Sequence, residues 1–196
     1  MTGRQAFLKL LYPLLLLKGK LFVAKQDVLH NSKLTKPANS FFDLQAIANN
    51  GAIINFDSFK NSKVLIVNTA SNCGFTAQYD ALEKLYQQYK TKLVIIAFPS
   101  NDFKNQETDD DATIESFCRV NYGVSFPLMK KSVVVKSDAQ TDVYKWLTHA
   151  SKNGWNDQPP VWNFSKYLIN EEGVLTHYFA PVISPLAKQV IDAIED

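Results

Sequence analysis

Cys73 and Cys118 are the two residues of this 196-residue chain best equipped for covalent chemistry. A thiolate is a strong nucleophile and metal ligand. The chain has no CxxC, which removes the usual zinc knuckle and the usual vicinal redox dithiol. Two isolated cysteines leave three readings: inert core thiols, one structural disulfide, or a reactive pair.

Cys73 lies in VLIVNTASNCGFTAQY (Val64–Tyr79), past the end of a β-branched run and before a predicted helix. In open parallel sheets, ligands sit beyond the carboxyl ends of strands. Helix N-termini favour anions and lower a thiol pKa from its ordinary ~8.5. Gly74 leaves the sulfur uncrowded. Position alone leaves this reactive reading level with that of a small buried cysteine. The histidines His30, His149 and His177 are scattered, and the acidic run after Thr108 lacks the pattern of a calcium loop.

The elements that must hold this thiol are legible in the apolar pattern. KVLIVNTA (Lys63–Ala70) is a continuous run, as in a strand buried on both faces. Tyr79, Leu82, Leu85, Tyr86 and Tyr89 recur at helical spacing within Thr76–Tyr89. LVIIAF (Leu93–Phe98) is a second buried strand, stopped by Pro99. These three form a βαβ unit with parallel strands and a right-handed crossover. Upstream, Phe41–Phe56 is two short apolar stretches around Asn49-Asn50-Gly51, a hairpin signal. Downstream, a helix is predicted near Ala112–Asn121, capped by Asp110 or Asp111. A short strand follows at Ser132–Val135, then a helix at Thr141–Ala150 and a hairpin over Lys166–Phe179 turning at Glu172-Gly173. A final helix is predicted with Ser184 as cap and Pro185 at its first position. A βαβ unit, a hairpin and a closing helix make the thioredoxin-like α/β arrangement, a central mixed sheet flanked by helices, with an N-terminal β-hairpin.

A composition of 46% hydrophobic and 20% charged residues is that of an ordinary globular domain. The net charge of +2 gives no footprint for nucleic acid. The charge is uneven, however. Residues 1–38 carry seven Lys and Arg against Asp27, a net +6, which leaves the body at −4. Within this arm, FLKLLYPLLLLKGKLF (Phe7–Phe22) has its longest charge-free run at Leu10–Leu17, short of the ~18 apolar residues of a membrane span. Pro13 interrupts it and no A-x-A cleavage site follows. Three readings stay open: an interfacial amphipathic helix touching a membrane surface through residues 6–23, an atypical or uncleaved signal, and a helix packed on the body. Leu29–Ser40, polar and with a proline, reads as a linker. The chain divides into a basic apolar arm and linker, 1–38, and a thioredoxin-like domain, 39–196. Its location, cytoplasmic, periplasmic or membrane-associated, is left open with the arm.

Four stretches, NTASNCGFTAQYDALEKLYQQY, FPSNDFKNQE, FCRVNYGVSFPL and VWNFSKYL, occur in this order. Together they resemble the glutathione peroxidase family, from about Ser40 to the C-terminus. The resemblance implies a thioredoxin fold and reduction of hydrogen peroxide and organic or lipid hydroperoxides. It implies Cys73 as the peroxidatic residue and Gln106, Trp162 and Asn163 as the rest of the family's catalytic tetrad. The residue types suit that chemistry, because neutral N–H donors aimed at developing negative charge act as an oxyanion hole does. No metal, cofactor or histidine base is required. Taken singly, Gln106 reads as solvated, Trp162 as a core anchor and Asn163 as a turn residue.

Cys118 matches the family's "FC" position, the resolving cysteine of members reduced by thioredoxin. There it would condense with the sulfenic acid formed on Cys73. Ile114, Phe117, Cys118 and Tyr122 also form an apolar stripe, so Cys118 as plain core stays open. Another family cysteine position is Ser100 here. Arg119 is the sole arginine outside the arm, which leaves no arginine set for glutathione carboxylates and favours thioredoxin over glutathione as reductant. The segment SKNGWNDQPPVW is short, without the loop of tetrameric members, and a monomer is expected. FKNSK and FKNQET lack glycines common in the family, which puts loop geometry at issue. The rivals are a thioredoxin-fold disulfide carrier, which the missing CxxC disfavours, and a non-catalytic interaction module. The peroxidase reading requires the Gln106 amide and Trp162 indole close to the Cys73 sulfur, and that sulfur open to solvent.

Overall fold

The computed structural model describes residues 2–21 and 24–196, without the side chains at 4, 15–21 and 25. Phe22 and Val23, the end of the 6–23 stretch, lie outside the described residues. Helix α1 (Gly3–Leu21) and strand β1 (Val28–His30) come first, followed by the hairpin β2 (Gln45–Ile47) and β3 (Ile53–Asn55). Strand β4 (Lys63–Thr69), helix α2 (Gln78–Tyr89) and strand β5 (Leu93–Pro99) form the expected βαβ unit. Helices α3 (Asp111–Tyr122), α4 (Asp142–Leu147) and α5 (Ala150–Asn153) lead to strands β6 (Lys166–Ile169) and β7 (Leu175–Phe179) and to helix α6 (Lys188–Glu195).

Five strands pair in the order β1-β7-β6-β4-β5. Among the described residues, β4 and β5 run parallel and the other strand pairings of this sheet are antiparallel. All seven residues of β4 are buried. The two-residue alternation of a strand divides them between two layers. Leu65 and Val67 face Leu82, Ile114 and Val190 of α2, α3 and α6. Val64 and Ile66 face Tyr144, Trp146 and Leu147 of α4 and Ala46 of the hairpin. Packing on both faces explains why Val64–Val67 of β4 is an unbroken apolar run, with polar residues only at its ends, Lys63, Asn68 and Thr69.

Four local readings are corrected. The segment read as a linker opens inside the sheet, since Leu29 and His30 pair with Tyr178 and His177 at its edge. Ser132–Val135 forms no strand, despite its β-branched residues. The N–H groups of Val134 and Val135 both donate to Oδ2 of Asp102, at 2.6 and 3.0 Å, and so are withdrawn from any ladder. The helix over Thr141–Ala150 breaks at Thr148 and His149, where Asn153 Nδ2 donates to the carbonyls of Trp146 and Leu147 at 2.9 and 3.1 Å. These are the orphan acceptors of a helix C-terminus. Finally, α6 starts at Lys188, because Ser184 closes a separate turn in which its carbonyl accepts from Ala187 N at 2.9 Å.

Candidate active site

Cys73 lies between β4 and α2, but not at the helix end. Turns separate it from α2, with Thr76 N donating to Cys73 O at 3.1 Å and Gln78 N to Phe75 O at 2.8 Å. Thr76 Oγ1 accepts from Cys73 N at 3.0 Å and stands 2.8 Å from the carbonyl of Ala70, so this side chain fixes the turn. The backbone N–H of Phe75 then points at Cys73 Sγ, 3.4 Å away.

Burial pushes the Cys73 thiol above its ordinary value, against the opposing effect of donors from Phe75, Trp162, Asn163 and Gly74. This corrects the expectation of a thiol lowered by a helix terminus. The sulfur is also not open to solvent, contrary to the requirement set from the sequence: Cys73 is 0% exposed, with half-buried Phe75 and Trp162 packed against its cluster.

Trp162 and Asn163 belong to the turn that enters β6. Asn68, the one amide in the apolar β4, organises that turn. Its Nδ2 donates to Trp162 O at 3.2 Å and to Asn163 Oδ1 at 3.3 Å, and its Oδ1 accepts from Ser165 N at 3.1 Å. Phe164, at φ 72°, is held left-handed, with its N–H on Asn68 O at 2.6 Å. Such a conformation is uncommon outside glycine and marks a turn set by its surroundings.

Gln106 arrives from the loop after β5. Lys104 and Asn105 take the left-handed conformation there, at φ 53° and 51°, where glycine would sit more easily. The Gln106 carbonyl accepts from Asn72 N at 3.1 Å, one residue before Cys73, and its side-chain Oε1 accepts from Asn163 Nδ2 at 3.1 Å. Phe103 and the Lys104 ammonium lie over the Trp162 ring, at 5.5 and 5.6 Å from its centroid. The fold thus gathers Cys73, Gln106, Trp162 and Asn163 from three loops.

Cys118 is not in this polar cluster. It is buried in α3 beside Tyr79, and burial pushes its thiol up to about 12. Both cysteines are free. Asn68 and Glu107 are site-shaping residues that sequence reasoning did not single out. Glu107 is fully buried and its Oε2 accepts from Ser71 N and Oγ at 2.8 and 3.0 Å, which ties the Gln106 loop to the Cys73 loop. Burial raises its carboxyl to about 7, against the Ser71 hydrogen bonds. An amide within an apolar strand, and a carboxylate directly after Gln106, were the available signals.

A mixed sheet of this order, with a thiol past the end of β4, one of its two parallel strands, and a backbone N–H aimed at the sulfur, belongs to the thiol-based redox proteins of thioredoxin-like fold. Residues 41–148 match the family model described as glutathione peroxidase. The chain is 42% identical over 147 residues to "Glutathione peroxidase-like peroxiredoxin 2" of Saccharomyces cerevisiae, covering 74% of this chain and 90% of that protein. It is 39% identical over 147 residues to "Glutathione peroxidase" of Lactococcus lactis subsp. cremoris, covering 74% and 92%. Among solved structures, "Crystal structure of Trgpx in apo form" superposes with a TM-score of 0.61 at 33% identity, over 81% of this chain and 97% of that one. The chain belongs to the glutathione peroxidase family. On that membership, and not on an open thiol, it is a thiol peroxidase, an oxidoreductase that reduces hydroperoxides.

Proposed function

We propose that Cys73 is the peroxidatic thiol, that Gln106, Trp162 and Asn163 polarise the reacting groups, and that Cys118 resolves oxidised Cys73. The observation that carries this reading is the Phe75 N–H 3.4 Å from the Cys73 sulfur, beside the loop whose Gln106 side chain accepts from Asn163, the neighbour of Trp162. Peroxide reaches the sulfur when half-buried Trp162 and Phe75 move aside. The thiolate attacks one peroxide oxygen, the O–O bond breaks, and the other oxygen leaves with the thiol's proton. A thiol and a hydroperoxide become a sulfenic acid and an alcohol, or water from hydrogen peroxide. Preorganised neutral donors stabilise the charge on sulfur and then on the departing oxygen.

In the second half-reaction the Cys118 sulfur displaces hydroxide from the sulfenic acid, giving a disulfide and water. Because Cys118 is buried within α3, that helix must open first. A reductant dithiol returns the two electrons by exchange. A protein dithiol such as thioredoxin suits the site better than glutathione, since the Arg119 guanidinium is committed to the Val124 carbonyl and to Glu115. The protein acts as a monomer whose residues 6–23 touch a membrane surface.

Stopped-flow mixing of reduced protein with hydrogen peroxide tests this. Cys73→Ser abolishes oxidation. Cys118→Ser oxidises once and does not recycle with thioredoxin; full recycling of Cys118→Ser would refute the resolving role.

A further inference from the structure

Resting on the peroxidase reading above, we propose that α1 is a bilayer-docking helix clasped to the active-site face, so that an anionic membrane seats against the Cys73 side of the molecule. The inward face of α1 is held by three contacts. Gln5, 7% exposed, donates through Nε2 to Oδ1 of Asn72, the neighbour of Cys73, at 3.2 Å. Lys9 pairs with Asp80 of α2 at 3.1 Å, and its ammonium lies 4.5 Å from the centroid of the Tyr122 ring on α3. Tyr12 is 9% exposed.

The outward face carries Phe7, Leu10 and Leu14, which are 59%, 77% and 64% exposed. At about 3.6 residues per turn, these three fall on the side of the helix opposite Gln5, Lys9 and Tyr12. A helix of a water-soluble surface places its apolar stripe inward and its polar residues outward. This one turns Gln5 and Lys9 inward beside Tyr12 and leaves Phe7, Leu10 and Leu14 exposed, so that stripe needs a cover.

Lipid is the cover that the charge selects. The first 38 residues carry a net +6 against a body of −4. An apolar stripe among lysines fits the boundary between acyl chains and anionic headgroups. Among the described residues no helix is long and apolar enough to cross a membrane, so α1 would lie in that boundary. The clasp at Asn72, Asp80 and Tyr122 fixes the docked surface beside the loop that bears the thiol.

The test uses the full chain with phosphatidylcholine vesicles, with and without phosphatidylserine. Peroxidation is measured on hydrogen peroxide and on a hydroperoxide embedded in the same vesicles. Wild type is expected to co-sediment with the anionic vesicles in preference to the zwitterionic ones. Phe7→Glu combined with Leu10→Glu should weaken that binding about tenfold or more, since two apolar contacts are lost to charge. Leu14→Glu alone, checked for an unchanged melting curve, should weaken it less. Asp80→Lys repels Lys9 and opens the clasp. It should keep vesicle binding while the ratio of embedded-peroxide to hydrogen-peroxide rates falls several-fold. Undiminished binding by the double variant, or an unchanged ratio in Asp80→Lys, overturns the proposal. So does a wild-type dimer in sedimentation that the double variant converts to monomer, which would assign the stripe to a second copy. A wild type that docks yet leaves hydrogen peroxide intact upholds the docking and refutes the peroxidase reading instead.

Discussion

The Asn163 side-chain amide donates to Gln106 Oε1 at 3.1 Å, and its own oxygen accepts from Asn68. Each amide thereby fixes which way the next one points. With its oxygen engaged, the Gln106 NH₂ is the end left to donate to an incoming peroxide. Asn68 anchors the series although it touches no reacting atom.

Replacing that anchor should therefore damage both fold and rate. Asn68→Ala removes the donor to Trp162 O and Asn163 Oδ1 and the acceptor for Ser165 N. A stability loss of about 1–3 kcal/mol is expected from buried groups left unpaired. The rate of Cys73 oxidation should fall about tenfold or more as the Trp162–Asn163 turn loosens. Asn68→Asp, which keeps the acceptor but not the donor, should fall between. Urea unfolding and stopped-flow fluorescence measure the two effects.

The pH dependence of oxidation should reflect a thiol held above its ordinary value by burial. While the thiol is mostly protonated, the thiolate fraction rises about tenfold per pH unit. The second-order rate with hydrogen peroxide should keep climbing through neutral pH and not level off there. Trp162→Phe removes a donor that lowers the thiol, and should move the curve to still higher pH. A wild-type rate already flat between about pH 6 and 8 would contradict this account.

Glu107 should impose an opposite trend on stability. Its carboxyl holds a proton up to about pH 7 in the fold, against an ordinary value of 4.5. Between those values the folded state binds more protons than the unfolded chain, so stability falls as pH rises. The full difference is about 3 kcal/mol. Glu107→Gln keeps an oxygen for Ser71 but does not titrate. Its stability relative to wild type should therefore improve from pH 5 to pH 8, as read by urea unfolding at each pH.

The βαβ unit was legible because β4 and β5 are buried on both sides and α2 carries its apolar residues at one spacing. Ser132–Val135 misled for the opposite reason. Its residues favour a strand, but Asp102, distant in sequence, takes their N–H groups. The position of Cys73 near a helix was legible; its burial was not, since that depends on Trp162 from another loop. Gln106, Trp162 and Asn163 became candidates through joint resemblance to a family, because each alone reads as ordinary. The roles of Asn68 and Glu107 are written in contacts to Asn163 and Ser71 that no local pattern reveals.

Lys166 separates stability from site geometry. It is fully buried, and its Nζ donates to Gln78 Oε1 at 2.9 Å and to the Phe164 carbonyl at 2.7 Å. Among the described ion pairs it has no carboxylate, and burial holds its pKa well below the ordinary lysine value. The unfolded chain therefore binds a proton that the folded state gives up, and wild-type stability rises with pH up to that ordinary value. Lys166→Met does not titrate. Near neutral pH its stability should match or exceed wild type, because wild type gives up on folding a proton that its unfolded chain holds. Wild type should overtake it as the pH approaches about 10. Peroxidation should nevertheless fall at every pH, because the left-handed Phe164 turn that presents Trp162 and Asn163 loses the partner of its carbonyl. Equal rates for Lys166→Met and wild type would show that β4 and Asn68 alone hold that turn.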